Sequence, residues 1–182
     1  MKQRSFFYIL TLVCTLLSCS ENVENKYTSH DANFVFRQTN TVPQLNAALN
    51  NMGEFSTITL DRNYFHFTNL TGTTKVNRTA VNNYSSFYMG IGGFIVGLPN
   101  IPEPGKDLPT VVCFDLACRN CYDQYIIARS LKLQENGMAH CTNCQRTYNL
   151  NNQGLVAAGT PGNALFRYHV TFGNNVLAII NR

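Results

Sequence analysis

The sequence has no tryptophan, few charged residues and no apolar run long enough to span a membrane. Charged residues make up 13% of the 182 residues, about half the usual share. Hydrophobic residues make up 45%, with 12 Phe and 9 Tyr. This composition excludes a disordered chain, a coiled coil and a collagen-like chain. It indicates one globular domain, rich in β-strands and large enough to bury a hydrophobic core.

The chain also lacks a strong excess of charge of either sign. There are 14 basic and 10 acidic residues, and 12 basic residues remain without Lys2 and Arg4, which lie in a segment that we expect to be removed. So small an excess does not provide the basic surface that nucleic acids require. We therefore expect no nucleic-acid partner.

The N-terminus is typical of an exported protein. Lys2 and Arg4 precede an apolar run over residues 5–17, which is shorter than a membrane span and fits a secretory signal. The run ends in Leu-Leu-Ser-Cys, which resembles the lipobox of bacterial lipoproteins, whose cysteine is acylated. The sequence thus predicts a lipoprotein signal peptide over residues 1–18 and lipidation of Cys19. We expect a protein of the bacterial cell envelope, lipid-anchored to a membrane and either periplasmic or exposed at the surface.

This location bears on the chemistry of the remaining cysteines. An oxidising compartment requires exposed thiols to be paired, metal-bound or buried. Lys2-Gln3-Arg4 is not a twin-arginine pair, so the signal favours export of an unfolded chain that acquires any metal after translocation.

Residue patterns predict a polar tether over residues 19–40 and a domain over residues 41–182. Pro43 lies near the start and Gly53 beyond the end of one predicted short helix. The helix places the apolar residues Leu45, Ala48, Leu49 and Met52 on one face. Alternating or β-branched sequence predicts strands in most of the rest, including residues 55–60, 64–67, 85–96 and 110–116. Residues 98–109 contain four prolines and a glycine and predict a surface loop.

Signals for classical catalysis or nucleotide binding are weak. The glycines of residues 90–97 do not match the dinucleotide fingerprint, because its third glycine would fall at Ile95 and no helix pattern follows. They favour a bulged strand or close backbone packing. Asp107 and Asp115 do not form a recognisable catalytic pair. We predict no catalytic residue and expect a binding or electron-transfer module, although the sequence leaves open whether the protein is an enzyme.

Five of the seven cysteines lie within the 32 residues from Cys113 to Cys144. Four of them form two C-x-x-C pairs, Cys118 with Cys121 and Cys141 with Cys144, separated by 19 residues. This spacing is typical of four-thiolate metal sites, because each short turn brings two sulfurs to one point and the long spacer lets the second pair complete the site. Four thiolates suit zinc, a single iron or an iron–sulfur cluster.

Other interpretations of these cysteines exist. Cys113, Cys118 and Cys121 match the opening spacing of plant-type ferredoxins, but Cys113 lies within a predicted strand. The four cysteines could instead form two disulfides in an oxidising compartment. A thiol oxidoreductase is disfavoured, because a redox C-x-x-C normally opens a helix in a βαβ unit, whereas strands and turns are predicted around both pairs.

The residues around the second pair resemble the closing half of a Rieske domain. The similar segments are residues 141–150, Gly154, residues 165–170 and residues 175–179. Upstream, residues 112–118 resemble the strand that leads into the first ligand loop of that family. The resemblance covers about residues 108–182. It implies an all-β, Rieske-like sandwich or partial barrel, with two cysteine-bearing loops that hold a [2Fe–2S] cluster.

The resemblance also implies roles for individual cysteines. Cys118 and Cys121 fall in the first loop and Cys141 and Cys144 in the second. Cys118 and Cys141 match the two cysteine ligands of the family, whereas Cys121 and Cys144 stand where the family has histidines. The first loop is one residue longer than in the family. Histidine ligands raise the potential of a Rieske centre, so four thiolates imply a low-potential cluster that is insensitive to pH near neutrality.

We therefore expect an all-β domain of about two small sheets or a partial barrel, with the two cysteine loops meeting at its tip. The leading function is electron transfer to an unknown redox protein, with Arg119, Tyr122 and Arg146 as candidate docking residues. The alternative is a zinc- or disulfide-stapled structural or interaction domain. The residues expected to form the core that holds the loops are Val112, Phe114, Leu150, Tyr168, Val170 and Ile179.

Overall fold

The computed structural model describes residues 26–78 and 87–181, and β-structure dominates this part of the chain. The strands are β1 (Ala32–Arg37), β2 (Glu54–Leu60), β3 (Tyr64–Asn69), β4 (Gly72–Asn77), β5 (Tyr88–Met89), β6 (Phe94–Leu98), β7 (Val112–Asp115), β8 (Lys132–Gln134), β9 (Met138–His140), β10 (Thr147–Asn149), β11 (Leu155–Ala158), β12 (Arg167–Tyr168), β13 (Val170–Gly173) and β14 (Val176–Asn181). The helices are α1 (Pro43–Asn50) and α2 (Arg119–Tyr125). Short 3-10 turns occupy Thr39–Thr41 and Glu135–Gly137. The all-β prediction is confirmed.

The strands form three antiparallel sheets, where the sequence predicts about two or a partial barrel. A six-stranded sheet has the order β12-β7-β6-β2-β3-β4. One four-stranded sheet has the order β13-β14-β1-β5, and a smaller one, made of strands of three or four residues, has the order β11-β10-β9-β8.

The centre of the six-stranded sheet is buried on both faces. Phe94 and Val96 of β6 pack in one hydrophobic cluster with residues of β1 and β14. Ile95, between them, packs in a second cluster with Tyr148 and Leu150 near the small sheet. Successive side chains of a strand point to opposite faces, so a strand in the middle layer is apolar at consecutive positions. The sheet therefore separates an aromatic core from a core that surrounds the cysteines.

The predicted short helix is confirmed as α1. Leu45, Ala48 and Leu49 are buried, and Leu45 and Leu49 pack in the same cluster as the phenylalanines of β1 and β3. Met52 differs from the prediction, because the helix ends at Asn50 and leaves the Met52 side chain 61% exposed.

The predicted tether over residues 19–40 is too long at its C-terminal end. Ala32–Arg37 forms β1, which lies between β14 and β5, and Phe34 is fully buried. The domain therefore begins before residue 32, and not at residue 41. The signal in the sequence is an apolar residue at every second position, Ala32, Phe34 and Phe36, and the structure buries all three. The predicted signal peptide and Cys19 lie outside the described residues.

Within residues 26–78 and 87–181, none of the helices has the length and apolar sequence that crossing a bilayer requires.

A buried ionic cluster ties the proline-rich loop to the sheet. Glu103 is only 7% exposed and forms ion pairs with Arg167 of β12, with Lys26 at 2.9 Å and with Lys106 at 3.3 Å. Burial raises the pKa of Glu103, but the three cations outweigh this effect and lower the pKa to about 2. The carboxylate is thus charged at neutral pH and fastens the loop and the first described residue, Lys26, to β12.

Candidate metal centre

Two connections between strands carry the four cysteines. The first cysteine loop, between β7 and β8, contains Cys118 directly before α2 and Cys121 within the first turn of that helix. The second cysteine loop, between β9 and β10, contains Cys141 and Cys144. The first cysteine loop thus connects the six-stranded sheet to the small sheet, and the second connects two strands of the small sheet.

The structure brings the four sulfurs together. The Sγ atoms of Cys118, Cys121, Cys141 and Cys144 all lie within 4.8 Å of one another. Two sulfur–sulfur contacts join the two loops: Cys118 Sγ lies 3.6 Å from Cys144 Sγ, and Cys121 Sγ lies 3.7 Å from Cys141 Sγ. All described cysteines are free thiols, and these separations exceed a disulfide bond of about 2 Å. Such a set of donors could hold a metal ion such as zinc or iron.

Burial distinguishes one cysteine from the other three. Cys118, Cys121 and Cys141 are at most 1% exposed, whereas Cys144 is partly exposed. Their neighbours in the second hydrophobic cluster include Phe114, Tyr148, Leu150 and Leu165. The centre is therefore covered by the apolar core on most sides and approaches the surface at Cys144.

Polar side chains contact the sulfurs from outside the tetrad. The Tyr148 hydroxyl lies 3.0 Å from Cys118 Sγ and accepts a hydrogen bond from Asn120 Nδ2 at 2.9 Å. Because the tyrosine oxygen accepts from Asn120, its own hydrogen is free to point at the sulfur. Asn143 Nδ2 donates to Cys121 Sγ at 3.4 Å. Donors of this kind stabilise the thiolate form and orient the ligands.

The thiols differ in acidity. Burial raises the pKa of Cys118 and of Cys121, even though Tyr148 and Asn143 oppose this effect by hydrogen bonding. Burial also raises the pKa of Cys144, but hydrogen bonds from the Arg146 side chain and backbone and from the other thiols outweigh it and lower the pKa to about 6. Without a metal, Cys144 is thus a thiolate at neutral pH, whereas burial favours the thiol form of Cys118 and Cys121, from which metal binding would release protons.

Backbone hydrogen bonds close the turn in each cysteine pair. The amide of Tyr122 donates to the carbonyl of Cys118 at 3.0 Å, and the amide of Gln145 donates to that of Cys141 at 2.9 Å. The base of each loop is closed as well, because Cys118 N–H donates to Arg129 at 2.8 Å and Cys141 N–H donates to Arg146 at 2.9 Å. The positions of the sulfurs are therefore fixed by the backbone on both sides.

Asp115 connects the first cysteine loop to the core. It is fully buried at the end of β7. Its Oδ2 atom accepts from the Tyr168 hydroxyl at 2.6 Å and the Ile91 amide at 2.8 Å, and its Oδ1 atom accepts from the Gly92 amide at 3.1 Å and the Ala117 amide at 2.7 Å. Burial raises the pKa of Asp115, and these four donors oppose that effect. One carboxyl group thus holds the segment before Cys118 against β12 and the turn before β6.

The glycines at residues 90–93 form this turn. Gly90 has a φ of +63°, and a Cβ atom there would overlap the Tyr168 hydroxyl and lie 2.6 Å from Asp115 Oδ2. A Cβ atom on Gly92 would lie 3.0 Å from the Ala117 amide nitrogen. The predicted close backbone packing is confirmed, while the strand begins only at Phe94.

Cys113 lies apart from the tetrad, whereas the candidate docking residues Arg119, Tyr122 and Arg146 lie close to its cysteines in the chain. Cys113 is fully buried in β7 and packs in the aromatic cluster, on the opposite face of the sheet from the tetrad. Arg119 pairs with Asp123 at 3.3 Å, and its guanidinium lies 4.9 Å from the centre of the Phe166 ring. Tyr122 contacts Phe166 edge-on. Arg146 donates to the carbonyls of Thr160 and Pro161.

The predicted core of the loops divides between the two clusters. Val112, Phe114 and Leu150 are buried around the cysteines, and Tyr168 and Ile179 are buried in the aromatic cluster. Val170 is only partly buried and packs against the aromatic cluster.

Two features of the site differ from the sequence analysis or were missed by it. The first pair opens a helix, α2, where strands and turns are predicted; however, every strand pairing in the described residues is antiparallel, unlike a βαβ unit. The contacts of Tyr148 and Asn143 with the sulfurs, and of Asn120 with the Tyr148 hydroxyl, were not predicted. The available signal is an asparagine directly before the second cysteine of both pairs.

Comparisons of this chain with models of protein families, with curated proteins and with solved structures find no match. The resemblance to Rieske domains stays a prediction, and the proposed function rests on the geometry of the four cysteines.

Proposed function

We propose that Cys118, Cys121, Cys141 and Cys144 bind one metal ion in a tetrahedral site that fastens the two cysteine loops together. The observation that carries this proposal is the separation of the sulfurs, which is at most 4.8 Å across the set. Zinc–sulfur bonds of about 2.3 Å in a tetrahedron separate the sulfurs by about 3.8 Å. The contacts of 3.6 and 3.7 Å between the loops are close to this value.

The arrangement favours a structural role over turnover. Four protein ligands leave no coordination position for a substrate, as in structural zinc sites, whereas catalytic zinc sites keep a position open. Three of the four cysteines also belong to the second hydrophobic cluster, and the fourth packs against it. The ion would therefore complete the core between the six-stranded sheet and the small sheet. Zinc fits an exported protein, because the ion has no redox chemistry. Its binding to thiolates is also coupled to folding, so the chain can acquire it after export.

Electron transfer is the second candidate, with iron at the same residues. Its support is the partial exposure of Cys144, whose sulfur lies 3.6 Å from that of the buried Cys118. Iron there would gain or lose one electron, exchanged with a redox protein that docks on the exposed side. A [2Fe–2S] cluster, which the Rieske resemblance implies, divides its four cysteines between two irons. Such a cluster would need some sulfurs to lie farther apart than in this tetrad, so the spacing favours a single ion.

We further propose that lipid on Cys19 anchors the domain to a membrane of the cell envelope. The support is the pattern of the N-terminal sequence, with two basic residues, a short apolar run and a cysteine after Leu-Leu-Ser. Mass spectrometry of the envelope protein tests this anchor, because acylation adds lipid mass to the N-terminal peptide that begins at Cys19. An N-terminal peptide without the added lipid mass would overturn the proposed anchor.

Metal identity is measured by elemental analysis and visible absorption of protein purified from the envelope without chelator. One zinc per chain without colour supports the structural centre, and one iron per chain supports electron transfer. Two irons with sulfide would overturn the single-ion site in favour of the cluster. No metal, together with no titratable thiols, would overturn both metal functions and indicate disulfides.

Matched variants separate ligation from packing. Cys141→Ser is expected to abolish metal retention, because it removes one of four thiolates. Cys113→Ala is the control: Cys113 is equally buried but packs in the other cluster, so this variant should lose some stability and keep its metal. Retention of metal by both variants would show that the tetrad is not the ligand set.

A further inference from the structure

We propose that the exposed tip of the first cysteine loop, residues 125–128, lies against the lipid bilayer to which the chain is anchored. This inference rests on the proposed acylation of Cys19, and it assigns the bilayer a second contact on the folded domain.

The tip is apolar and exposed. Tyr125 is 54% exposed, Ile126 is 71% exposed and Ile127 is 47% exposed, and they are followed by the exposed Ala128. Single exposed apolar residues are common on proteins, but four consecutive ones at the end of one loop form a patch that marks a contact with a partner or a membrane.

The tip projects from a fixed base. Cys118 N–H donates to the Arg129 carbonyl at 2.8 Å, and Ala117 forms a bridge with Ser130, so the loop is closed below the tip. The amide of Ile126 donates to Tyr122 at 2.7 Å at the end of α2. These hydrogen bonds therefore hold the segment that carries the apolar side chains in a defined conformation.

The conformation of Ile126 is unfavourable for its side chain. Its φ is +56°, in the left-handed region where helices usually end on glycine or asparagine. A β-branched residue there is strained, and at 71% exposure the side chain has little packing in this structure to offset the strain. Burial in lipid would supply the missing contact.

The chain enters the domain beside this loop. Lys26, the first described residue, and Arg119 of α2 line the same cavity of about 300 Å³. The ring of His30 lies 5.6 Å from the ring of Tyr122 in the middle of α2. Six residues separate Cys19 from Lys26, and this stretch spans at most about 25 Å when fully extended. An anchor on Cys19 thus keeps the side of the molecule that carries α2 close to the bilayer.

The charges around the tip suit a lipid surface with anionic headgroups. Arg129 and Lys132 follow the tip and are exposed, while Asp123 before it is paired with Arg119. A tyrosine and two isoleucines flanked by cations combine apolar insertion with attraction to anionic lipid. A protein partner for the same patch is the competing outcome of the experiment.

The absence of tryptophan from the chain provides a direct test. Tyr125→Trp places a single indole at the tip of the anchored protein. The control is Tyr64→Trp: Tyr64 is 39% exposed on β3, toward the opposite edge of the six-stranded sheet from β7. On vesicles of phosphatidylethanolamine and phosphatidylglycerol, we expect the Tyr125→Trp emission to shift to shorter wavelength. Lipids brominated in their acyl chains should quench it, and the control should not respond.

A second pair of variants measures the contribution of the apolar side chains to binding. In a Cys19→Ser background, Ile127→Asn should weaken binding to the same vesicles by about tenfold, the effect of losing one buried aliphatic side chain. Leu70→Asn is the control, because Leu70 is 57% exposed in the β3–β4 turn. Equal binding of both variants would overturn the tip contact.

The outcomes distinguish this inference from the lipid anchor. If Cys19 carries lipid and the Tyr125→Trp emission remains that of a water-exposed indole on vesicles, the tip contact is overturned and the anchor stands. In that case the patch would suit a protein partner. If Cys19 carries no lipid but the Tyr125→Trp emission still shifts on added vesicles, the anchor is overturned and the tip contact stands.

Discussion

At the scale of single residues, a buried carboxyl group positions the start of the first cysteine loop. Asp115 uses both oxygens, each for two donors, and these donors come from β12, from the turn before β6 and from the chain before Cys118. An unsatisfied buried donor costs more free energy than a satisfied pair gains. The chemistry of this one side chain therefore determines whether three segments can pack together.

We predict that Asp115→Asn lowers the free energy of unfolding by about 3 kcal/mol, since the amide nitrogen cannot accept and leaves two buried donors without a partner. Tyr168→Phe removes only one donor and should cost about 1 kcal/mol. Urea unfolding followed by circular dichroism measures both. Equal stability of Asp115→Asn and the wild type would contradict the role assigned to the carboxyl group.

Residue-scale prediction from the sequence succeeded only where the signal was local. The C-x-x-C spacing identified the four cysteines, because the geometry of each pair is set within four residues. The contact of Tyr148 with Cys118 and those of Asp115 with Ile91 and Tyr168 could not be predicted, since the partners in each lie 24 to 53 residues apart along the chain.

At the scale of elements, α2 ends in a conformation that its sequence disfavours. Ile126 holds the left-handed C-cap position, whereas helices of this kind usually have glycine there. The positive φ of Ile126 thus lowers the stability of α2, while it places an apolar side chain at the tip.

Ile126→Gly is expected to increase the free energy of unfolding by about 1 kcal/mol, because glycine adopts a positive φ without steric strain and the replaced side chain is largely exposed. Ile127→Gly is the matched control, since Ile127 does not have a positive φ, and it should destabilise or leave stability unchanged. Urea midpoints compare the two. A loss of stability in Ile126→Gly would show that the side chain packs in the folded protein.

The small sheet depends on its contacts more than on its own hydrogen bonds. Its strands β8 to β11 have three or four residues each, and so short a sheet is marginal without packing against another layer. Its packing is the second hydrophobic cluster, of which the cysteines form a part.

Removal of the metal should therefore loosen the small sheet first. After chelation under reducing conditions, we expect amides of β9 and β10 to lose protection from hydrogen exchange by about tenfold or more, while amides of β2 and β6 keep theirs. The Cys141→Ser variant should reproduce this pattern without chelator. Unchanged protection of β9 and β10 would indicate that the centre does not stabilise this sheet.

Element prediction followed the strength of the periodic pattern. The strands β2, β3 and β7 and the helix α1 have clear apolar periodicity and were predicted. The helix α2 has the sequence RNCYDQY, which lacks such a pattern and is held by the capping turn and by the contacts of Cys121 and Tyr122. The strand β1 was included in the tether because its surroundings in the sequence are polar.

At the scale of the whole molecule, the six-stranded sheet lies between two hydrophobic clusters, one on each face. An ionic cluster fastens the long connection between β6 and β7 of this sheet. Glu103 in that connection pairs with Arg167, Lys26 and Lys106. The cations lie in β12, near the N-terminal end of the domain and in the loop itself, so the cluster joins three distant parts of the chain.

The stability contributed by Glu103 should depend on pH in a defined direction. Its pKa is lowered from 4.5 to about 2, so its contribution is fully present above about pH 5 and is lost as the pH falls toward 2. Glu103→Gln should therefore cost about 2 kcal/mol at pH 7, and the difference from the wild type should shrink as the pH falls. Urea unfolding between pH 7 and pH 3 measures this difference. A constant difference over that range would contradict the ionic role.

The sequence by itself determined the β-class of the domain, the helix α1 and the identity of the four cysteines. These features follow from alternation, capping residues and C-x-x-C spacing, all of which act within a few residues. Only the tertiary structure decided that the four sulfurs meet within 4.8 Å, that Cys113 faces the other core, and that β1 belongs to the domain. Each of these depends on which sheet face or which strand edge a segment packs against. That choice is made by contacts between segments far apart in the chain.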